Sequence, residues 1–123
     1  MKKDNIIQKK SYDFALSCIE LCKFLHSKHN EYVLSKQLLK SGTSIGANIE
    51  ESIGAQSSKD FLSKISIAYK ETRETHYWIR LLRDSNYIDD KQSTEILGKC
   101  EEILRIITSI QKTVKHNIKK TNQ

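Results

Sequence analysis

Proline does not occur in this chain of 123 residues, and glycine occurs only four times, at Gly42, Gly46, Gly54 and Gly98. Folds built from β-strands need many tight turns, which proline and glycine supply. Inside a helix, by contrast, proline breaks the structure and glycine weakens it. The scarcity of both residues therefore favours long, uninterrupted helices over an all-β fold.

Apolar residues recur at spacings of three and four in four successive segments, which is the pattern of amphipathic helices. The first segment shows it most clearly, with Phe14, Cys18, Leu21 and Leu25 along one stripe. The polar runs HNEY, QSSKD and DSNYIDD separate the segments. The predicted helices span residues of about 5–29, 35–55, 58–85 and 90–119.

Residues that favour helix N-caps stand at the predicted starts. They are Ser35 for the second helix, Ser57 or Ser58 for the third, and Asp89 or Asp90 for the fourth. Because the connections are short, neighbouring helices should run antiparallel. We therefore predict an all-α, antiparallel up-down-up-down four-helix bundle, in one domain of residues 1–123 without a linker.

The segment KSGTSIGANIEES, residues 40–52, contains two glycines four residues apart. A phosphate-binding P-loop has the pattern G-x-x-x-x-G-K-[ST] after a strand, whereas here no lysine follows the second glycine and no strand is predicted. Gly42 falls on the core-facing stripe of the second helix, and Gly46 adjoins it one turn on. We interpret the two glycines as points where another helix comes close.

The charge balance is basic, because 21 Lys and Arg residues stand against 15 Asp and Glu residues, a net charge of +6. Such a balance favours a polyanionic partner. No apolar stretch approaches the roughly 20 residues of a membrane span, and no signal peptide follows the first lysines. Cys18, Cys22 and Cys100 lack C-x-x-C spacing, so we interpret them as reduced core residues of a cytoplasmic protein.

Two segments carry a family resemblance, QLLKSGTSIGANIEES at residues 37–52 and SSKDFLSKISIAYKETRETHYWIRLLRDSNYI at residues 57–88. In the order of their polar and apolar positions they resemble bacterial four-helix-bundle proteins of the 23S rRNA intervening-sequence type, also called S23 proteins. The outer helices match only by pattern. The motif and structural positions on the second helix are Gly42, Ser44, Gly46, Asn48 and Glu51.

The resemblance has implications for assembly and partners. The family is similar to the accessory protein of diversity-generating retroelements, which implies a homo-oligomer, with a pentameric ring favoured. It also implies a basic surface with affinity for nucleic acid, RNA favoured, and no catalytic activity.

Lysines are concentrated at the end of the predicted bundle where the first helix starts and the fourth ends. Asp4 is the only acid among residues 1–10, and residues 112–123 contain none. Lysine-rich patches suit phosphate contacts that do not depend on base sequence, although a frayed, solubilising terminus would look the same. The candidate nucleic-acid-binding residues are Lys2, Lys3, Lys9, Lys10, Lys112, Lys115, Lys119 and Lys120.

A second stripe on the third helix is not needed by the core of a single bundle. Its large apolar groups and carboxylates are Ile67, Glu71, Glu74, Trp78 and Leu81. Exposed aromatic surface usually marks a contact, so we predict an interface between subunits here. A solvated face with one stray Trp is the alternative.

Metal-binding and catalytic hypotheses are disfavoured by spacing. Di-iron bundles use Glu-x-x-His pairs, and no histidine here has a Glu three residues before it. Small helical ribonucleases of the HEPN type have a longer Arg–His spacing than the two residues between Arg73 and His76. We therefore expect a non-enzymatic protein without a metal, a cofactor, a small-molecule substrate or a membrane partner. A small helical ribonuclease and a structural scaffold for a protein partner remain the alternatives.

Overall fold

Four α-helices make up most of the chain that the structure describes, which is the backbone of residues 2–121 and the side chains of residues 6–121. In this computed structural model they are α1, Lys2–His29; α2, Leu34–Ile53; α3, Ser58–Asp84; and α4, Asp90–Thr121. The helix ends differ from the predicted ones by at most three residues. Within residues 2–121 there is no β-strand, and no helix is long and apolar enough to cross a lipid bilayer.

Contacts between side chains establish the direction of each helix. Gln8 in α1 bonds to Glu50 near the end of α2, whereas Cys22, further along α1, bonds to the carbonyl of Ser35 near the start of α2. The same reversal relates α2 to α3, α3 to α4 and α1 to α4. The chain is therefore an all-α, up-down-up-down four-helix bundle, as predicted.

One stripe of each helix faces the centre of the bundle. Phe14 of α1, Ile45 of α2, Ile79 of α3 and Ile107 of α4 are each at most 1% exposed. Full burial of a side chain of this size stabilises a fold by about 1.5–3 kcal/mol. The apolar periodicity of the sequence thus identifies the core that holds the helices, and with them the surface residues, in place.

Polar side chains cap two of the helices where the sequence predicts. Ser57 accepts a hydrogen bond from the backbone N–H of Asp60 at 3.0 Å, and Asp89 accepts one from that of Gln92 at 2.7 Å. The side chain of Gln92 in turn accepts from the N–H of Asp89 at 3.0 Å. This reciprocal pair is a capping box, which fixes the start of α4.

The predicted cap of α2 is wrong. The helix begins at Leu34, and Ser35 lies buried within its first turn. The carboxylate of Glu31 accepts instead from the backbone N–H groups of Val33, Leu34 and Ser35, at 3.0, 2.8 and 2.8 Å. Burial acts to raise the pKa of Glu31, but these hydrogen bonds outweigh it and hold the pKa below its usual value.

The two glycines of residues 40–52 lie within α2 and not in a loop. A Cβ atom placed on Gly42 would lie 2.5 Å from Sγ of Cys18 in α1 and 3.2 Å from its Cβ. On Gly46 it would lie 3.4 Å from the backbone oxygen of Ser11, which is an ordinary contact. Both glycines thus face α1, but only Gly42 sits where a methyl group would collide.

Candidate nucleic-acid interface

The C-terminal half of α4 is basic and free of acids. Residues 103–121 contain no Asp or Glu, and their cationic residues are Arg105, Lys112, Lys115, Lys119 and Lys120. All five are exposed. None of them forms an ion pair with an acidic side chain that the structure describes. Their charges are therefore available to an external anion.

Three of these lysines border a groove between α4 and α3. Lys112, Lys115 and Lys119 lie on one side of α4 because their spacings are three and four residues. The groove has a volume of 460 Å³, and its other lining residues are Leu62, His116 and Ile118. Leu62 and Ile118 are half-buried, so the groove has apolar walls below a cationic rim.

The predicted lysines of α1 contribute less charge to this end of the bundle. Nζ of Lys9 lies 2.9 Å from Oδ2 of Asp13, and Nζ of Lys10 lies 3.1 Å from Oε2 of Glu102. Exposed ion pairs of this kind are weak, so both lysines can exchange partners, but each has a competing acid. The side chains of Lys2 and Lys3 lie outside the described residues.

A second basic tract, which the sequence analysis missed, follows the outward face of α3. Lys70, Arg73, Tyr77 and Arg80 are spaced by three, four and three residues, and all four are exposed. The guanidinium carbon of Arg80 lies 5.8 Å from the centroid of the Tyr77 ring, within cation–π distance. The helical spacing that reveals this tract is visible in the sequence, beside the stripe used to predict the interface.

The predicted interface stripe of α3 is only partly exposed. Ile67 is 39% exposed and Glu74 is exposed, whereas Glu71, Trp78 and Leu81 are half-buried. The Trp78 ring packs against the core, and its indole N–H donates to Oε2 of Glu74 at 3.0 Å. Trp78 therefore stabilises the bundle itself as well as forming part of the surface.

Glu71 is poorly satisfied within one chain. Among the described side chains, its Oε2 is the one buried polar atom without a hydrogen-bond partner. Burial, and then the charge of Glu74, raise the pKa of Glu71, and Lys40 offsets this only in part. A buried acceptor without a donor is destabilising, so a donor from another molecule would be favourable here.

The polar motif residues of α2 make structural contacts. Nδ2 of Asn48 donates to the backbone oxygen and to the hydroxyl of Ser44, at 2.9 and 3.1 Å. Glu51 pairs with Lys64 of α3 at 2.8 Å. The Asn48 contacts lie within α2, whereas the Glu51–Lys64 ion pair links α2 to α3.

Groups that could serve catalysis or metal binding are dispersed. Within the described side chains, no three His, Cys, Asp or Glu residues are grouped to hold a metal ion. His76 is hydrogen-bonded to Glu101 at 3.0 Å. Burial raises the pKa of Cys22 to about 11 and that of Cys100 to about 12, so these thiols stay protonated and unreactive at neutral pH.

Helices, core and surface together define a basic four-helix bundle with a lysine-bordered groove at one end. The family model of the 23S rRNA-intervening sequence protein matches residues 3–109, and the chain therefore belongs to that family. A crystal structure of an S23 ribosomal protein family member of unknown function from Bacteroides thetaiotaomicron is similar, with a TM-score of 0.88 and 47% identity. The match covers 89% of this chain and 98% of that chain. A comparison with curated proteins gives no match.

The family predicted from residues 37–88 and the fold predicted from the apolar pattern of the whole chain are thereby confirmed. The family match ends at residue 109, so Lys112, Lys115, Lys119 and Lys120 follow the matched region. Their positive charge and exposure, and not the family match, make these lysines candidates for phosphate contacts.

Proposed function

We propose that this chain is a non-enzymatic, homo-oligomeric protein that binds RNA through the lysines at the end of α4. The observation that carries the proposal is the acid-free run of residues 103–121, whose five exposed cations have no ion pair with a described acid. Contacts between such cations and phosphates are favourable because they release condensed counterions. RNA is favoured over DNA because the family is named for sequences in 23S rRNA.

The chemistry of the groove predicts how the RNA is bound. A lysine ammonium contacts a phosphate as a point charge, and phosphate contacts carry no base information. The groove between α3 and α4 is lined by three lysines, one histidine and two aliphatic residues. The affinity of the groove for RNA should therefore depend on the lysine charges and on the salt concentration, and little on base sequence.

The direct test is charge reversal with a matched control. The test variant changes Lys112, Lys115, Lys119 and Lys120 to Glu. The control variant makes the same change of charge at exposed lysines near the opposite end, Lys23, Lys28, Lys36 and Lys91. Binding of a fluorescent single-stranded RNA of about 16 nucleotides should be lost in the test variant and largely kept in the control.

Both variants should keep the helicity of the wild type in circular dichroism, because all the changed residues are exposed. Equal losses of binding in the two variants would show that net charge alone is responsible, and would contradict a site at the end of α4. Unchanged binding in the test variant would contradict it as well.

Self-association is proposed for the interface stripe of α3, with a pentamer favoured. What supports it is the combination of Ile67, 39% exposed, with a buried Glu71 oxygen that has no donor among the described residues. A base from a neighbouring subunit would satisfy that oxygen. Such a pairing would also set the register of the two subunits.

The non-enzymatic part of the proposal has its own test. His76, the histidine that a ribonuclease hypothesis would use, is bonded to Glu101 at 3.0 Å. The labelled RNA should remain intact after prolonged incubation with the protein. Cleavage by the wild type that is lost in His76→Ala would favour a ribonuclease instead.

We infer a cytoplasmic location because the three cysteines are free and buried, as suits a reducing compartment.

A further inference from the structure

The outward face of α3 combines positive charge with an exposed aromatic ring. Lys70, Arg73, Tyr77 and Arg80 follow one another at helical spacing and are all exposed. Ten residues of helix span about 15 Å. The tract lies on α3 away from the lysine-bordered groove at the end of α4, and it differs from that groove in offering an aromatic surface.

Among the described side chains, the cations of this tract, Lys70, Arg73 and Arg80, have no ion-pair partner. The nearest acids of α3 in sequence are Glu71, Glu74 and Asp84. The first two belong to the neighbouring stripe. Asp84 pairs with Arg83 at 2.7 Å, and the charge of Arg80 contributes to lowering the pKa of Asp84 without forming an ion pair. The tract is therefore suited to an anionic partner that lies along the helix.

Tyr77 is an exposed ring held in a defined position. The residue is 46% exposed. Its ring contacts the half-buried Trp78 edge-on, with centroids 5.1 Å apart and planes at 67°, while Arg80 approaches it at 5.8 Å. Because Trp78 packs against the core, the Tyr77 ring is supported from within the bundle and needs little ordering to accept a partner.

We propose that this tract binds single-stranded nucleic acid, with a base stacked on Tyr77 and the adjoining phosphates at Arg73 and Arg80. Arginine recognises phosphate through its planar array of donors, and aromatic side chains stack unpaired bases. A duplex keeps its bases stacked on one another, so Tyr77 selects the single-stranded form. The inference rests on the proposed nucleic-acid binding but assigns different residues and a different contact.

The test compares two substitutions of Tyr77 on two RNA probes. Tyr77→Leu keeps an apolar side chain but removes the aromatic ring, whereas Tyr77→Phe keeps the ring. The probes are a labelled oligouridylate of about 16 nucleotides and an RNA duplex of the same length. Tyr77→Leu should weaken oligouridylate binding about 5- to 150-fold, the range measured for loss of one stacked base. Tyr77→Phe should bind as the wild type does.

A spectroscopic signal locates the contact. Trp78 is the only Trp of the chain, and its ring centroid lies 5.1 Å from that of Tyr77. Saturating oligouridylate should therefore change the Trp fluorescence of the wild type and of Tyr77→Phe. In Tyr77→Leu at saturation the change should be much smaller.

The outcomes separate this inference from the proposed function. If charge reversal at the end of α4 abolishes binding but Tyr77→Leu leaves it unchanged, the inference is wrong and the proposed function stands. The inference would also be wrong if Tyr77→Leu weakened duplex binding as much as oligouridylate binding, or if Tyr77→Phe bound as weakly as Tyr77→Leu. A change of oligomeric state in Tyr77→Leu would overturn it too, because the tract would then be a contact between proteins. A wild type that binds neither probe would overturn both.

Discussion

Replacing Gly42 by alanine should destabilise the protein, although alanine is the better helix former. In an open helix interior the change stabilises by about 1 kcal/mol. Here the new methyl group would lie 2.5 Å from Sγ and 3.2 Å from Cβ of Cys18, well inside the roughly 3.5–4.0 Å of normal carbon contact. Cys18 is fully buried, so it cannot turn away without disturbing its neighbours.

The expected size of the effect follows from two opposing contributions. Overpacking a core costs about 1–3 kcal/mol, and a contact at 2.5 Å is severe enough for the cost to exceed the gain of about 1 kcal/mol in helix propensity. Gly98→Ala is the matched control, because Gly98 is exposed in α4 and an added Cβ would meet no described atom within 4 Å beyond the adjoining backbone of its own helix. Since propensity contributes equally to both variants, Gly42→Ala should be less stable than Gly98→Ala by about 1–3 kcal/mol.

Urea unfolding followed by far-UV circular dichroism measures this difference. A double variant, Gly42→Ala with Cys18→Ala, should recover part of the loss, because residues in contact couple by about 0.5–3 kcal/mol. Equal gains in stability for Gly42→Ala and Gly98→Ala would refute the close approach of α1 to α2. Absence of coupling to Cys18 would refute the assigned contact.

Three further perturbations test other parts of the account. Glu31→Ala should lower the free energy of unfolding by about 0.5–2 kcal/mol at neutral pH. The wild type should lose this stability as pH falls from about 4.3 through the lowered pKa of Glu31, and the variant should not. An acid unfolding profile that is the same in both would contradict the capping role. Ile67→Glu should give smaller species than the wild type in size exclusion with light scattering, without loss of helicity, and a wild type of 14.3 kDa would defeat the oligomer. In the Ile67→Glu variant, which should be dissociated, the added change Glu71→Gln should stabilise the chain at pH 7. The reason is that the raised pKa of Glu71 means that folding disfavours its charged form. A loss of stability would show that Glu71 has a partner within the chain.

The helices and the core could be predicted because they depend on local periodicity. In α1 the buried residues Phe14, Cys18, Leu21 and Leu25 stand at spacings of four and three, which only a helix brings to one face. The cap of α2 could not be predicted in the same way. Ser35 is the better cap by local preference, but its hydroxyl turns inward to the carbonyl of Glu31 and to Nε2 of His26.

The sequence predicts which face of a helix a surface residue lies on, but not which residues of the other helices it contacts. The helical spacing of Lys112, Lys115 and Lys119 places them on one side of α4, and they border one groove. The pairing of Lys10 with Glu102 depends on how α1 and α4 are rotated against each other, which periodicity does not specify. The tract that includes Tyr77 has the required spacing, but its exposure is decided by which side of α3 the neighbouring helices cover.

The most direct test of the account is the salt dependence of RNA affinity. If about four to six lysines contact phosphates, the logarithm of the affinity should fall with the logarithm of salt concentration at a slope of about −3 to −5. The variant with Lys112, Lys115, Lys119 and Lys120 changed to Glu should show no such binding. An affinity of the wild type that does not change with salt, or no binding at about 50 mM salt, would contradict an electrostatic RNA-binding role for this bundle.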